Sequence, residues 1–252
     1  MASYFITGAS RGLGLDLVRT LAAEPASKVA VVYAAARSQT VSLKKLAGES
    51  NGRVEIVSLD VESQESIDAA AKSVEQSRGS QGLDILMNVA GVMTHFPEGV
   101  TTVDDLNWLF NINVTGVHNL TKALLPSLKK GNLKKIINYS SGLGSITRAP
   151  DWAMQDSPSY KVSKAALNML TVQYALALGD AGFTAIVVSP GWVKTDLGGQ
   201  EADIDVETSS REVLNIVDRV GKDDNGKFFN IHVPEFDNRP VAFRYDGGEI
   251  PW

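Results

Sequence analysis

Short apolar runs alternate with helix-length amphipathic stretches along most of this chain, and that alternation is the strongest constraint on its fold. Residues 4–7, 29–35, 54–58, 84–88, 135–140 and 184–189 read as strands. Between them, residues 12–23, 41–46, about 63–77, 103–125 and 159 to about 178 read as helices. Strands separated by helical lengths predict βαβ crossovers and a parallel sheet. The strands are continuously apolar, as a sheet covered by helices on both faces requires. A last strand is expected near residues 226–232, followed by a tail ending GGEIPW in which Trp252 is a candidate anchor.

The 252 residues, 44% hydrophobic, suffice for one α/β domain with a sizeable core. No Pro/Gly-rich linker, repeat or low-complexity tract divides them. Residues 144–158 are the longest stretch expected to lack structure, and residues 198–208 read as a mobile flap beyond a strand end. A net charge of -5 with scattered basic residues argues against a nucleic-acid partner. No run is long enough to span a membrane, and the sequence enters a strand-like segment directly, so no signal peptide is expected. Cytoplasmic residence is expected. The absence of cysteine excludes disulfides and thiolate chemistry. His95, His118 and His232 show no metal-ligand spacing, so no metal is expected.

Chemistry begins with TGASRGLG at residues 7–14, placed between an apolar strand and an amphipathic helix. Gly8 permits the sharp turn, Gly12 lets the backbone approach a pyrophosphate, and Gly14 lets the helix pack on the sheet. The helix N-terminus then faces the phosphate. An NAD site places a carboxylate at the end of the second strand, whereas this chain reads YAAAR, with Ala36 and Arg37 there. Arg37, with Arg11 in the loop, offers positive charge to a 2′-phosphate, so NADP(H) is the expected cofactor. Asp60 is placed to meet the adenine edge, and Asn88, Ala90 and Gly91 to line the adenosine and ribose.

Tyr160 and Lys164 stand four apart on one helical face. A phenol is a poor base at neutral pH, and a neighbouring ammonium lowers its pKa. Ser141 ends the preceding strand, where its hydroxyl can fix a carbonyl oxygen. Asn113 falls in the long helical region, where it can hold a kink and a water joining Lys164 to solvent. Met93, Phe96, Trp152, Met154 and Trp192 offer apolar and aromatic surface, which favours an apolar or aromatic carbonyl or alcohol as substrate.

TGASRGLG, NVAG (88–91), NINVTG (111–116), SSGLG (140–144), YKVSK (160–164) and PGWVKTDL (190–197) together resemble the short-chain dehydrogenase/reductase family over essentially the whole chain. The resemblance implies one doubly wound Rossmann domain over 1–252 with a mainly parallel seven-stranded sheet, and substrate-loop insertions near 144–158 and 196–208. It implies Tyr160 as acid/base, Lys164 as the group that lowers its pKa and binds the nicotinamide ribose, Ser141 as the substrate-orienting donor and Asn113 as the relay. Gly8, Ser10, Arg11, Gly12, Leu13 and Gly14 would surround the diphosphate, with Leu13 meeting it through its backbone. Val61 would join Asp60 at the adenine, and Pro190, Gly191, Val193 and Thr195 would border the nicotinamide carboxamide. The family uses the pro-S hydride and often assembles as dimers or tetramers; a tail packed on the domain would leave a monomer. Val89 departs from the family's usual NNAG, and the spacing from Ser141 to Tyr160 is longer than usual. PGWVKTDLGG and EIPW are closer to the carbonyl-reductase-type subgroup of sniffer-like, C-factor-like and fungal ketoreductase proteins. The expected activity is hydride transfer to a ketone or aldehyde. Its rivals are a regulatory NADP-binding protein without turnover and an epimerase or dehydratase on the same scaffold.

Overall fold

The computed structural model describes residues 1–252. Seven strands form one sheet: β1 (Ala2–Thr7), β2 (Val29–Ala36), β3 (Val54–Ser58), β4 (Ile85–Asn88), β5 (Lys135–Tyr139), β6 (Thr184–Ser189) and β7 (Phe228–Asn230). Their order is β3-β2-β1-β4-β5-β6-β7, a doubly wound α/β arrangement. The pairs of β1 with β2 and β4, of β2 with β3, and of β6 with β7 are parallel. The helices are α1 (Gly12–Ala23), α2 (Val41–Glu49), α3 (Gln64–Arg78), α4 (Leu106–Phe110), α5 (Val117–Lys130), α6 (Pro158–Leu178) and α7 (Val206–Arg219).

Contacts gather the chain into two units, residues 1–90 with 116–137 and residues 91–115 with 138–252. In the first unit the sheet reverses direction of winding at β1, which pairs with β2 on one side and β4 on the other. Ligands of open α/β sheets bind beyond the strand ends at such a switch point. Tyr4, Phe5 and Ile6 of β1 are almost wholly buried, as are Val32, Tyr33 and Ala34 of β2, which accounts for the unbroken apolar runs. The starts of α2, α3 and α7 follow the capping rule: Thr40 accepts from the Leu43 N–H, Ser63 from Ser66 and Asp205 from Thr208.

Three expectations need correction. The helical region 103–125 is not one helix. Its helix starts at Leu106, because Gly99 (φ 87°) and a 3-10 turn at Val100–Thr102 occupy the chain before it. Residues 111–116 then form a π-helical turn. Residues 144–158 are not structureless, since they carry a 3-10 turn at Ala149–Trp152 and hydrogen bonds on both flanks. The flap at 198–208 is pinned: Val193 bridges Ile204, Ala202 and Ile204 are buried, and α7 begins at Val206. Trp252 is an anchor, as expected. Its ring stacks on Phe228 at 5.5 Å, and its carbonyl accepts from the N–H and hydroxyl of Thr147.

Candidate active site

In the second unit the end of β5, the turn after it, the first turns of α6 and the π-helical turn converge. Gly144 makes the convergence possible. A Cβ there would lie 2.8 Å from the Lys164 Cβ and 2.9 Å from its carbonyl carbon. Asn168 of α6 also donates to the Gly144 carbonyl at 3.1 Å. Ser141 is extended, and its oxygen accepts from the Leu143 N–H at 3.2 Å, which leaves its proton available. That hydroxyl hydrogen-bonds to Tyr160.

Tyr160 and Lys164 are both buried, and the Lys164 Nζ lies 5.5 Å from the phenol ring centroid. Burial drives the two pKa values in opposite directions. It pushes the Tyr160 phenol far above its ordinary value, opposed by the Ser141 hydrogen bond, and it lowers the Lys164 ammonium to about 8. At Tyr160 desolvation is the larger of the two influences. The Lys164 Nζ donates to the Tyr139 carbonyl at 2.7 Å.

Asn113 is fully buried in the π-helical turn. Its amide donates to the Val92 carbonyl (2.9 Å) and the Ser163 hydroxyl (3.0 Å), and its oxygen accepts from the Val92 N–H (2.9 Å). Ser163 in turn donates to the Tyr160 carbonyl at 2.8 Å. Sequence reasoning passed over Ser163, although it stands inside YKVSK. A Cβ on Gly91 would meet the Asn113 Oδ1 at 3.3 Å and the Lys164 Nζ at 3.5 Å, so both groups face one small space that only glycine leaves open.

In the first unit the glycine loop follows β1. Gly8 has φ 70° and Gly12 φ 53°, conformations that side chains resist. A Cβ on Gly14 would fall 2.3 Å from the Gly8 carbonyl oxygen. Arg11 occupies the N-cap of α1, no side chain caps the helix, and its first turn holds no acid. Anion-binding peptide groups are thus left at a helix N-terminus. The Thr7 hydroxyl accepts from the N–H groups of Val89 and Ala90, both at 2.9 Å. Arg37 is exposed just beyond β2, and Ser10 is tied to α2 through Thr40 (2.9 Å). Asp60 caps its own turn by accepting from Glu62 at 3.1 Å, with Val61 half-buried beside it. Asn88 is buried at the end of β4.

After β6, Pro190 accepts from Ser209 (2.7 Å), Gly191 turns at φ 82°, Val193 is buried and the Thr195 hydroxyl accepts from Gly198 (3.0 Å). Of the apolar candidates, Met93, Phe96 and Trp152 are partly buried, whereas Met154 stands 96% exposed. Phe96 is bonded to the Asp156 carbonyl, and Asp156 pairs with His95 at 2.6 Å.

The short chain dehydrogenase family model matches residues 3–204. The chain belongs to the short-chain dehydrogenase family. An uncharacterized oxidoreductase of Schizosaccharomyces pombe is 31% identical, with 99% of this chain and 97% of the relative covered. The C-signal protein of Myxococcus xanthus is 32% identical over 68% of this chain and 93% of its own length. Among solved structures, the NADPH-bound carbonyl reductase from chicken fatty liver superposes with a TM-score of 0.86 at 30% identity, covering 100% of this chain and 94% of that one. Carbonyl reductase Sniffer of D. melanogaster gives the same TM-score and identity, with both chains covered in full. The resemblance read from the motifs is thereby established at the level of family and carbonyl-reductase-type subgroup. Within this short-chain dehydrogenase, no helix is long and apolar enough to cross a membrane, and no three His, Asp or Glu side chains gather as a metal site.

Proposed function

We propose that this short-chain dehydrogenase is an NADPH-dependent carbonyl reductase that delivers a proton from Tyr160 to the oxygen of a ketone or aldehyde. One observation carries the reading: Tyr160 is hydrogen-bonded to Ser141, the buried Lys164 amine lies 5.5 Å from its ring centroid, and Lys164 and Asn113 face one small space. Glycines 8, 12 and 14, with the uncapped start of α1, suit a diphosphate. Arg11 and Arg37 suit a 2′-phosphate, and the NADPH of the chicken relative supports the same cofactor. When bound, NADPH supplies the hydride that reduces the carbonyl carbon.

The remaining work falls to side chains. Ser141 donates to the substrate oxygen and holds it near the Tyr160 hydroxyl. Tyr160 gives its proton to that oxygen as negative charge develops there. A high phenol pKa is no obstacle in this direction, because the group must be protonated to act. Lys164 binds the nicotinamide ribose and favours the phenolate left behind. Asn113, fixed on Val92 and Ser163, supports a proton path to Lys164. Asp60, Val61, Asn88 and Ala90 hold the adenosine end, and Pro190, Gly191, Val193 and Thr195 the carboxamide end. Residues 1–252 act as one catalytic domain in this reading. Self-association is expected through Val162, Met169 and Leu176, spaced seven apart on α6 and 46%, 60% and 75% exposed.

The test is carbonyl-dependent loss of NADPH absorbance. Tyr160→Phe should bind NADPH normally yet lose about 10³-fold or more in kcat, since proton transfer alone contributes about 10²–10⁴-fold. A parent that consumes no NADPH across a broad carbonyl panel overturns the reading.

A further inference from the structure

Trp192 is held from three sides. Its N–H donates to the Tyr245 hydroxyl at 3.1 Å, its carbonyl accepts from Ile204 at 3.2 Å, and its indole N–H donates to Gly198 at 2.7 Å. The Tyr245 hydroxyl donates its own proton to the Asp203 Oδ2 at 2.7 Å. The other carboxylate oxygen of Asp203 accepts from Arg239 at 2.8 Å. Arg239 lies over the Phe236 ring at 4.1 Å, and that ring packs on Tyr245 at 5.0 Å. A polarised chain thus runs from guanidinium to carboxylate to phenol to one peptide N–H.

A hydroxyl completes it, because the same oxygen must accept from a peptide and donate to a carboxylate. The ionised acceptor strengthens the O–H bond and, through it, the bond from the peptide. The ring matters as well. The turn at Gly191 is packed closely: a Cβ there would lie 2.8 Å from the Ile204 Cδ1 and 3.4 Å from the Tyr245 Cε1. The family match ends at residue 204, so Arg239 and Tyr245 lie beyond it. The same C-terminal stretch reaches the 144–158 segment, where Phe243 meets Trp152 edge-on at 4.7 Å.

We propose that Tyr245, with Asp203 and Arg239, is a positioning residue that fixes the Trp192 backbone and so sets the indole against aromatic carbonyl substrates. This rests on the carbonyl-reductase reading, in which Trp192 borders the substrate. Trp192 is 45% exposed, leaving a face for a flat ring. Burial and Asp203 both raise the Tyr245 pKa, so the hydroxyl keeps its proton.

The experiment compares parent and Tyr245→Phe on 4-nitrobenzaldehyde and on propanal, with Asp203→Asn as a second, shape-preserving variant. Hydrogen exchange of the 190–195 amides is followed without substrate. Where the parent is active, Tyr245→Phe should raise KM for the aromatic aldehyde about five- to tenfold, the worth of one well-placed hydrogen bond. Its kcat, KM for NADPH and KM for propanal should stay within about twofold. Asp203→Asn should shift the same constant in the same direction. An unchanged KM, or an equal rise for both aldehydes, overturns the proposal. Should the parent reduce neither aldehyde nor any member of the broad carbonyl panel, the proposed function fails and exchange decides: faster exchange at Trp192 in Tyr245→Phe upholds the positioning role, and unchanged exchange overturns it.

Discussion

Lys164 shows at the scale of one residue how function opposes stability. Its amine is buried and donates to the Tyr139 carbonyl, and its pKa falls from 10.5 to about 8. A folded-state pKa below the unfolded value means that the unfolded chain binds more protons between about pH 8 and 10.5. The charged lysine therefore costs stability below pH 8, and the cost fades as pH rises through that window. Lys164→Met keeps the volume and removes the charge. It should raise the melting temperature at pH 7 by a few degrees, corresponding to about 1 kcal/mol after loss of the Tyr139 hydrogen bond. Thermal unfolding at pH 7 and pH 10 checks this, since the advantage must shrink at the higher pH. The same variant should lose most carbonyl reduction. A variant equally favoured at both pH values would show that packing, not charge, sets the difference.

Elements were legible to different degrees, and the reasons are physical. Strands β1, β2 and β6 could be read because burial on both faces leaves apolar runs, and α1 because a glycine loop announces its start. The π-helical turn could not be read as such. Six residues, NINVTG, adopt it to carry Asn113 inward, and no periodicity marks so short a change of pitch. The order in the 144–158 segment was invisible because its bonds are non-local: Ser145 and Thr147 reach Pro251 and Trp252, and Lys161 reaches the Trp152 and Gln155 carbonyls. Tyr160, Lys164, Ser141 and Asn113 could be picked out as candidates, because motif strings carry them; the Tyr245–Asp203 pair spans 42 positions and has no local signature. Gly144 is where two of these elements meet. Gly144→Ala forces a methyl group against the backbone of Lys164 and Ala165, at 2.9 and 3.1 Å. Overpacking of this kind costs about 1–3 kcal/mol. Unfolding should show that loss, and kcat should fall about tenfold or more because a shift of α6 misplaces Tyr160. An alanine variant with parental kcat would mean that the turn and α6 do not need this approach.

At the scale of the whole molecule, the proposed labour divides between the two units. The glycine loop, Arg11, Arg37 and Asp60 belong to residues 1–90, whereas Asn113, Ser141, Tyr160 and Lys164 all belong to the other unit. Cofactor preference and chemistry should therefore respond to different substitutions. Arg37→Asp places a carboxylate beyond β2, where it can accept from a ribose 2′-hydroxyl and repel a 2′-phosphate. It should raise KM for NADPH by about 10- to 100-fold and lower KM for NADH, leaving kcat on saturating NADH close to the parent's. The exposed position makes the preference sensitive to screening. Raising ionic strength should increase the parent's KM for NADPH and leave that of Arg37→Asp for NADH nearly flat. Both constants come from initial rates at several salt concentrations. An Arg37 that only decorates the surface would leave the NADPH/NADH ratio and its salt dependence untouched. The 2′-phosphate assignment would then have to rest on Arg11, at the N-cap of α1, where the same substitution and the same salt series can be repeated.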